Sequence, residues 1–306
     1  MYGISTAWRA NLTDDGNELI DLMQQSGINH FEIDYRITPL MLRHIKKRLR
    51  TNSIAILTVH AFCPIPDGVS KMDATKPPFA LSSLDPDLHR LAVKYGIQSL
   101  ELGAELEARL TVFHLGHVEM NSEGDVFERF YQQNGLDSEA YHQWLAGKLA
   151  ERDGKKAPYF DQVLKALDIL NERACQLGIL IGAENRYRFT QIPFQQEFDT
   201  IFDEFAGGNV RYWHDVGHAE VLHRLRILHH VDDLLERHKF HLAGMHIHDV
   251  HHLEDHLAPG QGDFPFESLI PYLNAEKIKI LEIHSSATPQ VVRDGVVFLR
   301  EKGLLP

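Results

Sequence analysis

The chain has 306 residues, 43% of them hydrophobic, and a formal net charge of -12. That length suits one domain of ~250 residues with insertions, although two domains fit length alone, and the acidic balance disfavours a broad nucleic-acid surface, which needs Lys and Arg to replace condensed counterions. An apolar run of ~18 residues is missing and the N-terminus enters a strand-like segment without a basic-then-apolar leader, so a soluble, cytoplasmic protein with no membrane span is expected.

Eight short apolar runs recur along the chain: Tyr2 to Thr6, His30 to Asp34, Ile54 to His60, Leu110 to His114, Ile179 to Glu184, Val210 to Asp215, Leu242 to His246 and Ile278 to Glu282. Helical periodicity separates them, the pattern of parallel strands covered by helices. Asp85-Pro86 predicts a helix start, with Leu88, Leu91, Ala92 and Tyr95 at helical spacing behind it. Gly27 and Gly178 precede strands, where a helix C-terminus takes a left-handed residue. The stretch from Gly116 to Gly178 exceeds one crossover. Its polar part, through Gly154-Lys155-Lys156, predicts a helical insertion over the mouth that can serve as a lid, and Tyr159 to Leu177 predicts the covering helix. The expected fold is therefore α/β: a single (β/α)8 barrel over residues 1–306 with a helical insertion after strand 4. A doubly wound open sheet ranks lower, because the first strand lacks a glycine-rich phosphate loop.

The strand ends carry the chemistry. His60, His114, Glu184, Asp215, His246 and Glu282 close six consecutive runs, and a barrel brings such ends to one face. Gathered carboxylates repel one another unless a cation joins them, so a divalent metal is expected. Oxygen and imidazole ligands without thiolate suit Mn2+, Zn2+, Co2+ or Fe2+. The cysteines, Cys63 and Cys175, lie too far apart in sequence to suggest a disulfide framework or thiolate zinc site. Asp215-Val216-Gly217-His218 adds a histidine facing the same cavity, and the loop from Glu254 to Gly262 can carry Glu254 and His256 over the mouth. Glu184-Asn185-Arg186 sets an amide and a cation beside a ligand, for polyol or phosphate recognition or, equally, for a salt bridge that orients Glu184. Trp8 fits a sugar face or, more readily, core packing. Glu32 and Asp34 are expected to buttress the mouth, His117 and His248 to orient ligands, and His229-His230 and His251-His252 to lie on the surface.

Taken in order, Val59-His60-Ala61-Phe62, His114-Leu115-Gly116, Glu184-Asn185-Arg186, Asp215-Val216-Gly217-His218, His246-Ile247-His248-Asp249, the loop Asp255 to Gly262 and Leu281-Glu282 resemble the xylose isomerase-like barrel superfamily. It includes sugar epimerases and isomerases, inosose dehydratases and endonuclease IV. The resemblance implies that Glu184, Asp215, His246 and Glu282 bind a divalent ion, Mn2+ or Zn2+ first and Co2+, Mg2+ or Fe2+ next. It places Arg186 and His218 on the substrate, with His60, His114, Glu254 and His256 in the same binding shell. The implied reaction is isomerisation or epimerisation of a sugar, sugar phosphate or polyol, with Glu184 and Glu282 as catalytic groups moving a proton through a metal-bound enediolate. Keto-sugar dehydration is a close variant. The alternative is an endonuclease IV-like multi-zinc phosphoesterase, in which His60, His114, His218, Glu254 and His256 extend the cluster; Glu254 stands where the nuclease pattern has Asp. A third alternative is a non-catalytic binding barrel. A small-molecule substrate is expected rather than nucleic acid, and relatives that pair through the mouth or helices make a homo-oligomer compatible with the family.

Overall fold

All eight apolar runs form strands, and together they close a parallel barrel in sequence order. The computed structural model describes residues 1–51 and 53–306. The strands are β1 (Tyr2–Ser5), β2 (His30–Ile33), β3 (Ala55–His60), β4 (Leu110–Phe113), β5 (Leu180–Glu184), β6 (Val210–Asp215), β7 (Leu242–Ile247) and β8 (Ile278–Leu281). Ile4 of β1 pairs with both Phe31 and Leu281, which closes the ring. Register sets the ends level: Glu184 lies opposite Trp213, and Asp215 opposite His246.

Two apolar layers hold this arrangement. Leu57, Leu110, Val112, Trp213, Ile278 and Ile280, all strand residues, form their own buried cluster, whereas the larger cluster joins strands to helices. The Trp213 ring packs edge-on against His246, with centroids 5.1 Å apart, so this inner cluster is the floor of the polar cup above it. Full burial of each such side chain contributes about 1.5–3 kcal/mol, enough to tolerate ionisable groups at the rim.

Among the described residues eight α-helices surround the strands: α1 (Gly16–Gln24), α2 (Pro39–Leu49), α3 (Pro86–Glu105), α4 (Gly124–Gln132), α5 (Glu139–Leu177), α6 (Glu197–Glu204), α7 (Val216–Arg224) and α8 (Pro289–Glu301). Asp85 caps α3 as expected, accepting from the amides of Asp87 and Leu88. Gly178 ends α5 at φ +69°.

The stretch after β4 differs from expectation in one respect. The predicted break near Gly154-Lys155-Lys156 does not occur; α5 runs unbroken for 39 residues, with Pro158 inside. Its C-terminal half buries Val163, Ala166, Leu167 and Leu170, and its N-terminal half buries Tyr141, Leu145 and Arg152. Packing along both halves outweighs the helix cost of ~1 kcal/mol for a glycine and ~3 for a proline. Arg152 and Glu197 form a buried two-bond pair at 2.6 and 3.0 Å, and Arg152 also donates to the Gln191 carbonyl. This pair ties α5 to the segment after β5 that follows Glu184.

Among the described residues no helix is long and apolar enough to cross a membrane. Cys63 is buried and Cys175 exposed, both as free thiols. Trp8 is a core residue whose Nε1 donates to the Ala287 carbonyl.

Candidate metal centre

Three carboxylates converge on one imidazole nitrogen. His246 Nδ1 lies 3.1 Å from Glu184 Oε1, 2.9 Å from Glu282 Oε2 and 3.5 Å from Asp215 Oδ2. All four side chains are buried, and ligand atoms from the four lie within 4.8 Å of one another.

The surroundings leave ligand electrons pointing into this cup. His246 Nε2 lies 3.1 Å from Glu32 Oε2, so the Nε2–H donates to that carboxylate and Nδ1 is the nitrogen that faces the cup. His248 Nδ1 accepts from the His256 amide at 2.7 Å, which makes Nε2 the donor to Asp215 Oδ1 at 3.0 Å. Asp215 Oδ1 also accepts from the His218 amide as the cap of α7, whereas Asp215 Oδ2 is buried and accepts no hydrogen bond among the described residues. A buried carboxylate oxygen without a partner is costly. An oxygen-rich set with one imidazole fits a hard to borderline divalent ion and relieves that cost.

Charge accumulates accordingly. Burial by itself pushes the Glu184 carboxyl up, but Arg186, His114 and His246 hold it well below the ordinary range. Glu282 is held down against burial by His246 and His256, and Asp215 by His218, His248 and His246. Burial depresses His246, yet Glu282, Glu32, Asp215 and Glu184 together raise it well above an ordinary imidazole. The field that stabilises a proton there attracts a divalent cation in the same way.

His60 and His114 stand against Glu184 Oε2, at 3.6 and 2.8 Å from it through Nε2. His60 Nδ1 lies 3.0 Å from the Ala61 carbonyl, which fixes Nε2 toward the cup. Arg186 Nη1 donates to Glu184 Oε2 at 3.0 Å and to His114 Nε2 at 2.6 Å. Burial and this cation depress His114 to about 3, so it is neutral. His218 Nδ1 is 3.3 Å from Asp215 Oδ1, and burial lowers this imidazole to about 4.

Several side chains stand differently from their sequence reading. Glu254 is exposed, and the acidic group beside His218 and His256 is Asp255, whose carboxylate is 3.0 Å from His256 Nδ1 and 4.0 Å from His218 Nε2. The β-turn between Asp249–His251 and Glu254–Leu257 sets which neighbour faces inward, and spacing alone does not reveal it. Asn185 faces the backbone: it donates to the Asp215 carbonyl and accepts from the Asp215 amide. His117 is exposed. His230 is buried rather than at the surface, with Nε2 2.9 Å from His214 Nε2 and Nδ1 3.1 Å from Glu220, while its neighbour His229 is exposed. His251 and His252 are both exposed. His284, two residues past Glu282, stacks on His256 with centroids 5.1 Å apart, a contact no sequence pattern signals.

Local sequence explains the placement. Gly217 stands where an added Cβ would meet His248 Cε1 at 2.1 Å, so only glycine lets His248 reach Asp215. Asp249 accepts from the amides of Val250, Gly260, Gly262 and Phe264, and thereby folds the Pro/Gly-rich loop against the cup. A cavity of about 740 Å3 opens above, lined by His114, Arg186, His218, Asp255, His256 and Glu282 among others.

A sequence profile for the xylose isomerase-like TIM barrel matches residues 20–302. The chain belongs to this family. Solved structures similar to this xylose isomerase-like barrel include a 3-keto-D-glucoside 4-epimerase from E. coli, at 16% identity and TM-score 0.66, covering 98% of each chain. A D-allulose 3-epimerase from Methylomonas sp. in complex with D-allulose has 12% identity and TM-score 0.66, over 98% of this chain and 96% of that one. A D-psicose 3-epimerase in the presence of D-fructose has 16% identity and TM-score 0.64, over 98% of both chains. At these identities the likeness is one of fold. Comparison with curated protein sequences gives no match.

Proposed function

We propose that this protein is a metal-dependent isomerase or epimerase of a sugar or related hydroxy-ketone. The observation that carries the reading is the convergence of Glu184, Asp215 and Glu282 on His246 Nδ1 beneath a cavity large enough for such a substrate. The epimerases among the similar folds support the substrate class. A divalent ion held by Glu184, Asp215, His246 and Glu282, with Mn2+ or Zn2+ suited to these ligands, supplies Lewis acidity that makes the C–H between a carbonyl and a hydroxyl acidic.

The remaining work falls to the chain. Glu282 borders the cavity and, ionised, takes the proton; Glu184, aimed by Arg186, delivers to the other face a proton it has taken up from solvent, and Glu282 releases its own to solvent before the next turnover. Arg186 and His218 meet substrate hydroxyls at the cavity wall. Burial of the cup excludes water that would quench an enediolate. Incubating the metal-loaded protein with a panel of ketoses and inososes in D2O tests this: deuterium enters the substrate at the carbon next to the carbonyl. Absence of exchange across the panel refutes the reading.

A second reading has its own support. His60, His114 and Glu184 form one further group of ligands, and His218, Asp255 and His256 another, beside the four-residue cup. That suits a multi-zinc phosphoesterase, while the net charge of -12 opposes a nucleic-acid substrate. Two or three zinc ions per chain together with incision of abasic-site DNA would favour it.

A further inference from the structure

Beside the cavity above the cup lies a larger chamber of about 1150 Å3, walled by α4, the loop after β5, the end of α7 and the Asp249–Leu257 hairpin. Ser122, Tyr187, Arg188, Val221 and Leu253 line both spaces and so form the boundary between them. This boundary is one side chain from the chemistry: the Tyr187 ring lies 5.3 Å from the His218 ring, and His218 Nδ1 is 3.7 Å from Glu184 Oε1. The inner cavity alone matches the ~300–1,000 Å3 that hold a typical small ligand, so a lone monosaccharide leaves the chamber unused.

The lining selects what enters. Tyr131 and Tyr187, half-buried in the wall, offer ring faces at low entropic cost, while Phe127 and Phe189 are buried within it. Arg224 is committed to Glu220 and Asp263, and Arg226 to Asp137. Arg188 has no carboxylate within 4.0 Å among the described residues; its guanidinium packs over Tyr187 at 5.1 Å and reaches Ser122 Oγ at 3.4 Å. Against it stand Glu128 and Glu254, both exposed in the same chamber, so the space is not a field for anions.

We infer that the side chamber is a subsite for a second, uncharged ring, so that the substrate is a glycoside whose reacting unit sits over the cup and whose other ring passes Tyr187 and Arg188. This rests on the isomerase reading for the cup. Calorimetry on the Mn2+-loaded full-length protein would compare D-fructose, its glucosides isomaltulose, turanose and leucrose, and D-fructose 6-phosphate. At least one glucoside is expected to bind about tenfold or more tightly than D-fructose, and Ser122→Trp, which sets a bulky ring at the boundary of the two spaces, should remove most of that advantage. Arg188→Ala, which disturbs no core packing, should do the same. The subsite is refuted if no glucoside exceeds D-fructose, if the advantage survives both variants, or if D-fructose 6-phosphate binds best, which would assign Arg188 to an anion. Deuterium exchange run alongside separates the two claims: preference for a glucoside without exchange sinks the reaction and leaves the subsite, whereas exchange without preference does the reverse.

Discussion

Glu32 sits at the end of β2, outside the four candidate ligands, yet it decides which nitrogen of His246 faces the cup. Its other contact, from Thr58 Oγ1 at 2.8 Å, holds the carboxylate in place. Groups that orient a metal-bound imidazole typically contribute 10–100-fold in affinity. Glu32→Ala should therefore weaken Mn2+ binding by about that factor without unfolding the protein, as calorimetry and circular dichroism together would check. Unchanged affinity would mean that Glu32 only fills space. The buttressing role was legible in the sequence as a carboxylate at a strand end, but the partner was not, since Glu32 and His246 are 214 positions apart.

At the scale of elements, the eight strands could be read directly, because each apolar run is short, and six consecutive runs close on a metal-competent side chain. The helices after β4 were harder. Gly154-Lys155-Lys156 reads locally as a break, whereas buried contacts on both sides of it keep α5 continuous. Asp255 was missed in favour of Glu254 for a similar reason: which of two adjacent residues turns inward depends on the hairpin, and pairing there shifts register. Long-range contact is also what makes Arg152 important. Arg152→Ala leaves Glu197 buried without its cation, at a cost of ~3–5 kcal/mol. Urea denaturation should show that loss, and Arg152→Met combined with Glu197→Leu should recover much of it. A single variant as stable as the parent would show that the pair does not anchor α5.

For the molecule as a whole, buried neutral histidines set the acid limit. His238 is packed among Phe198, Phe202 and Tyr212, and burial lowers its imidazole to about 4. The unfolded chain takes up a proton there near pH 6.5 while the folded chain does not until about 4, so its contribution to stability is present above 6.5 and is lost as pH falls between those values. His238→Phe should shrink the difference in urea midpoint between pH 7 and pH 5; an unchanged difference would place the acid sensitivity elsewhere.

The proposed function turns on a divalent ion held by groups that lie far apart in the sequence. Titrating the chelator-stripped protein with Mn2+ in a calorimeter is the most direct check. A saturable site at one ion per chain, abolished by Asp215→Asn, is the predicted result. No saturable binding, or binding indifferent to that substitution, would contradict it.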